Sequence, residues 1–128
     1  MKMFIRLLIV SLLMVMAAPA WADSALHALT CEQDEETTDD QVEAIATEWF
    51  KAAKAVKGGE QLEFYLNFPV AAKTGEVDVA MIIIAPSFTE WGTFMDNYPG
   101  SAAEAIDDKY EDDLDCGNGT LWESVKIE

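Results

Sequence analysis

The stretch "EVDVAMIIIA", residues 76–85, constrains the fold more than any other part of this chain, because its second half is apolar at every position. Successive strand residues point to opposite faces, so a strand with no polar side is one covered on both sides. Just upstream, "EQLEFYLNF" alternates strictly, with Leu62, Phe64, Leu66 and Phe68 on one face and Glu63, Tyr65 and Asn67 on the other. A loop through Pro69 and Gly75 joins the two stretches, which together predict a hairpin.

Helices flank this hairpin. Thr38 followed by Gln41 is a capping box, and Asp39 and Asp40 suit the positive end of a helix dipole. From there Val42, Ile45, Ala46, Trp49, Phe50, Ala53 and Val56 make one apolar stripe until Gly58-Gly59 stops it. After the hairpin, Ser87 with Glu90 opens a second helix. Its aromatic-rich run "PSFTEWGTFMDNYPG" could suggest a cofactor box. At helical spacing, however, Phe88, Trp91, Phe94, Met95 and Tyr98 fall in one sector and read as core. Pro99-Gly100 ends that helix, and Ser101 with Glu104 starts a further helical piece reaching Tyr110. At the ends, "SALHALTCE" reads as a short strand with two possible faces, Leu26, Ala28 and Thr30 or Ala25, His27, Leu29 and Cys31. "EDDLDCGNG" reads as an acidic turn and "TLWESVKI" as a closing strand.

The order is β-α-β-β-α-β, which implies an α+β fold of the ferredoxin-like type: a four-stranded antiparallel sheet with its helices on one face. Right-handed crossovers give the strand order 4-1-3-2. The last strand then runs antiparallel beside the first, which brings Cys31 toward Cys116, the two cysteines of the chain, and predicts a disulfide. Helices cover only one side of such a sheet. Ala80, Ile82 and Ile84 lie opposite Val79, Met81 and Ile83, so a second apolar face remains, and sheet-to-sheet packing of two copies would bury it.

Residues 1–22 read as a secretory signal peptide: Lys2 and Arg6, an apolar run from Leu7 to Met16, and an Ala20-Trp21-Ala22 cleavage site. That run is shorter than the roughly 20 residues of a spanning helix. Cleavage would leave one domain, 23–128, in the periplasm or outside the cell, where a disulfide persists. The formal charge of −16 becomes −18 once Lys2 and Arg6 are removed. Such a chain repels nucleic acid and anionic membranes, so neither is expected as a partner.

The Trp49-Phe50 helix, the "IIIAPSFTEWGTFMDNY" passage, Cys31 and the "LDCGNGTLWESVKI" ending resemble small exported bacterial proteins of the dimeric α+β barrel superfamily. The resemblance implies the ferredoxin-like fold and a homodimer. It leaves function broad, since cofactor-free monooxygenases, haem-degrading enzymes and plain ligand binders share that superfamily.

No residue pattern marks a catalytic site. Ser87 is accounted for by capping, and there is no G-x-S-x-G. "DLDCGNG" begins like a calcium loop, but Gly117, Asn118 and Ser124 stand at the fifth, sixth and twelfth positions, which excludes an EF-hand. Asp107, Asp108, Glu111, Asp112, Asp113 and Asp115 read as a solvated acidic helix end, and Asp78 as an exposed strand-end residue. His27, the one imidazole, is the only candidate axial ligand for haem, and a hydrogen-bonded structural role is the stronger expectation for it. No metal site is expected, because a disulfide would occupy both thiolates. The ligand-cavity candidates are His27, Tyr65, Asn67 and Trp122, all expected to face the space between two sheets. The expected function is an exported dimer that binds a small apolar ligand or has a structural or stress-related role. The alternative is a cofactor-free monooxygenase or haem-processing enzyme using the barrel cavity.

Overall fold

The computed structural model describes residues 23–71 and 77–127. The expected leader, residues 1–22, and the middle of the loop at Gly75 lie outside the described residues. The elements are β1 (Ser24–Gln33), α1 (Asp39–Ala53), β2 (Glu63–Asn67), β3 (Val79–Ala85), α2 (Phe88–Asn97), α3 (Ala102–Lys109) and β4 (Leu114–Ser124).

The helix starts follow from their caps. Thr38 and Gln41 form the full reciprocal box at α1, with the Thr38 amide donating to Gln41 Oε1 at 2.7 Å and the Gln41 amide to Thr38 Oγ1 at 3.3 Å. Ser87 and Ser101 each accept from an amide three residues on, that of Glu90 and that of Glu104, both at 3.2 Å. The Glu90 side chain returns to the Ser87 hydroxyl, whereas that of Glu104 takes the Gly100 amide. Glycine is required after α1: Gly58 has φ +88°, and a Cβ there would come within 2.5 Å of the Phe94 amide nitrogen on α2.

The four strands form one antiparallel sheet in the order β2-β3-β1-β4, the expected arrangement. One face carries Ala25, Leu29 and Cys31 of β1, Phe64 and Leu66 of β2, and Val79, Met81, Ile83 and Ala85 of β3. The helices pack on that face, where Val42, Ala53, Trp91, Phe94 and Ala103 complete the core. Asp78, exposed as expected, accepts the Gln33 amide at 3.0 Å and so pins the end of β1.

Two expectations are corrected. The closing strand starts at Leu114, so much of the segment read as an acidic turn is strand. Pairing with β1 supplies the backbone partners that the polar, glycine-rich sequence did not signal, with one register irregularity between Ala28 and Thr30. Cys116 therefore lies inside β4, directly opposite Cys31, and the two are joined by a disulfide with a Cα–Cα distance of 4.0 Å. In the chain-entropy model a bridge across so long a loop stabilises the fold by about 4 kcal/mol. In α2, Trp91 and Phe94 are buried, but Phe88 and Met95 are each 44% exposed, because the helix is covered by the sheet over a narrower arc than the apolar sector spans.

Candidate functional site

The candidate residues divide between the two faces of the sheet. Tyr65, Asn67 and Trp122 lie on the open face with Leu26, Ala28, Ile82 and Ile84, where the register pairs Leu26 with both Ile84 and Trp122, and Ile82 with Tyr65. Tyr65 is 50% exposed and Trp122 58%. Their polar atoms are used locally: Tyr65 Oη donates to Glu63 at 2.8 Å, Trp122 Nε1 to Thr120 Oγ1 at 2.8 Å, and Asn67 Nδ2 to the Ala80 carbonyl at 3.3 Å. These contacts hold the side chains along the sheet and leave a broad, largely apolar surface.

His27 does not join them. It alternates with Leu26 and Ala28 and so points to the helices, where its ring lies 4.9 Å from that of Trp91, centroid to centroid. Burial lowers its pKa and favours the neutral imidazole. Nδ1 is buried without a hydrogen-bond partner. At Nε2 the chain comes close, since a Cβ on Gly119 would stand 2.7 Å away.

His27 instead borders a cavity of about 420 Å³ between the helices and the sheet. Its floor is Leu29, Phe64, Met81 and Ile83. Ile45, Ala46 and Trp49 of α1 form one wall, and Trp91, Phe94, Met95 and Tyr98 of α2 another. The aromatic rings brace one another: Trp49 against Phe64 at 5.3 Å, Trp91 against Phe94 at 5.7 Å and Phe94 against Tyr98 at 5.4 Å.

A polar chain crosses this apolar wall and ties all three helices together. Trp49 Nε1 of α1 donates to Tyr98 Oη at 3.0 Å, and Tyr98 Oη, just past α2, donates to Asp107 Oδ2 of α3. Partial burial, reinforced by the Asp107 carboxyl, pushes the Tyr98 phenol pKa up strongly, so it stays a donor. Partial burial also raises the Asp107 pKa, with the Tyr98 hydrogen bond acting in the opposite direction. Sequence reasoning missed this network because Trp49 and Tyr98 fit the apolar stripes of their helices. The available signal was chemical: a Trp N–H and a Tyr O–H placed in a core need partners.

Farther out, Tyr110 Oη donates to Glu48 at 2.8 Å, and Lys109 Nζ reaches Glu48 at 3.4 Å and Tyr110 Oη at 2.7 Å. Asp107, Asp108, Glu111 and Asp115 complete the cavity lining at its exposed side, beside Cys116. Among the described residues, no group of three or more His, Cys, Asp or Glu side chains is placed to hold a metal ion. None of the described helices is long and apolar enough to cross a membrane.

No family model matches this chain, nor does any curated protein. Solved structures do match, and they place the fold in the ferredoxin-like α+β class. One is a dimeric ferredoxin-like protein of unknown function from Thermobifida fusca, with a TM-score of 0.56 at 16% identity, covering 80% of this chain and 92% of that one. An Arabidopsis thaliana protein matches with a TM-score of 0.62 at 10% identity, covering 81% and 98%. A candidate chlorite dismutase matches with a TM-score of 0.50 at 12% identity, covering 82% of this chain and 45% of the other. At these identities the likeness is one of fold.

Proposed function

We propose that this protein is an exported homodimer that binds a small, largely apolar molecule in the helix–sheet cavity of each protomer. The observation that carries the reading is the cavity itself: about 420 Å³, with aromatic and aliphatic side chains as its floor and walls, the Trp49–Tyr98–Asp107 chain and His27 beside them, and the carboxylates Asp108, Glu111 and Asp115 at its exposed side. A concave, mainly apolar space with a few convergent polar atoms is the usual form of a small-molecule site. Dimerisation through the open sheet face would cover Leu26, Ile82, Ile84, Tyr65 and Trp122, as the resemblance to dimeric ferredoxin-like proteins leads one to expect. Export accords with the leader-like residues 1–22 and with the disulfide.

The neutral fluorescent probe N-phenyl-1-naphthylamine tests the site. Ala46 is buried on the cavity wall, so Ala46→Met fills the space and is expected to weaken probe binding by about tenfold or more, equivalent to about 1.4 kcal/mol. Trp122→Ser, on the far face, should leave the affinity unchanged. The opposite pattern, with binding lost in Trp122→Ser and kept in Ala46→Met, would move the site to the open face.

A further inference from the structure

The charges around the cavity are all of one sign. Asp107, Asp108, Glu111 and Asp115 line it, and no lysine or arginine is among the lining residues. The nearest cation in sequence, Lys109, is turned to Glu48 and Tyr110. His27 adds no charge, because its burial favours the neutral ring. Asp107 and Asp108 lie in the last turn of α3 and Glu111 just beyond it, at the end of a helix whose free carbonyls are already partially negative. Carboxylates repel those carbonyls, so this placement costs stability, and a cation brought to the same spot would relieve it. Deeper in, the lining is aromatic, with Trp49 and Trp91 among the walls, and suits an apolar body. An anionic head would instead face the carboxylates with no basic partner. The lack of a metal-holding cluster among the described residues points to an organic cation rather than a metal ion.

We propose that this cavity, taken as the ligand site on the reading above, selects organic cations. An apolar body would fill the aromatic pocket, and an ammonium head would lie at the exposed side beside Asp108 and Glu111. The specificity would lie in head-group charge, with the apolar walls tolerant of what fills them.

Isothermal titration with three probes sharing one chain, decyltrimethylammonium, decanol and decanoate, each kept below its micellar concentration, tests this. The cation is expected to bind about tenfold tighter than decanol, a difference of about 1.4 kcal/mol, with decanoate weakest. In Asp108→Asn/Glu111→Gln the cation should fall to the affinity of decanol while decanol itself is unchanged. A control, Glu35→Gln/Glu43→Gln, removes the same net charge away from the cavity and should keep the preference. Decanoate binding as well as the cation, or the control losing the preference equally, overturns the proposal. Decanol binding with no preference for the cation overturns the cation selectivity alone. Failure of all three probes to bind overturns the ligand-site reading along with it.

Discussion

Tyr98 shows how a single hydroxyl can hold three helices to one another. It accepts from Trp49 and donates to Asp107, so Tyr98→Phe leaves an indole N–H and a carboxylate oxygen without their partner. The expected loss is about 1–2 kcal/mol, read from the urea midpoint, toward the lower end if water reaches either group. Asp107 adds a pH dependence of definite sign. Its pKa in the folded protein is raised above the ordinary value of 3.8, so the native state holds the proton more tightly than the unfolded chain does. The stability this contributes is fully present below the unfolded pKa and is lost as pH rises through the raised native one. Urea midpoints of the wild type and Asp107→Asn, measured over acidic pH, should therefore diverge in favour of the variant as pH increases through that window. Parallel curves would show that the carboxyl is not perturbed by its surroundings.

The elements that were legible in the sequence are those whose signals are local. Three caps, at Thr38, Ser87 and Ser101, and the strict alternation of β2 located most of the chain, because capping and strand periodicity are decided within a few residues. The start of β4 was not legible, since Asp115, Gly117, Asn118 and Gly119 have low strand preference and become strand only through pairing with β1. The orientation of β1 was open for a related reason: both of its faces are apolar enough to be buried. The site was the least readable part, because Trp49, Tyr98 and Asp107 are far apart in sequence and meet only once the helices have packed. Packing between elements also separates the two left-handed glycines. At Gly58 (φ +88°) an added Cβ meets the α2 backbone, whereas at Gly100 (φ +76°) it meets nothing within 4 Å. Gly100→Ala should cost about 1–2 kcal/mol for the backbone conformation alone. Gly58→Ala should cost distinctly more, on the order of 3 kcal/mol or above, because α2 must also shift. Thermal unfolding of the two variants checks the ranking, and equal losses would mean that the α1–β2 turn moves freely against α2.

For the whole molecule, the homodimer proposed above would be held together through the open sheet face. Ile82 lies on it between Ala28 and Tyr65, so Ile82→Asp would place a charge inside the proposed sheet-to-sheet interface. The variant is expected to sediment as a monomer under conditions where the wild type is a dimer, with its helix and strand content kept. Because both copies carry a large negative charge, the wild-type association should also tighten as salt screens their repulsion. A wild type that sediments as a monomer at every salt concentration would leave this face to another partner. The disulfide has a consequence of a different kind. It joins neighbouring strands at Cys31 and Cys116, which closes the intervening backbone, including three helices and the β2–β3 hairpin, into a covalent ring. One proteolytic cut anywhere within that ring opens it without dividing the molecule, and the nicked protein keeps a single mass, heavier by one water, until a reductant separates the pieces.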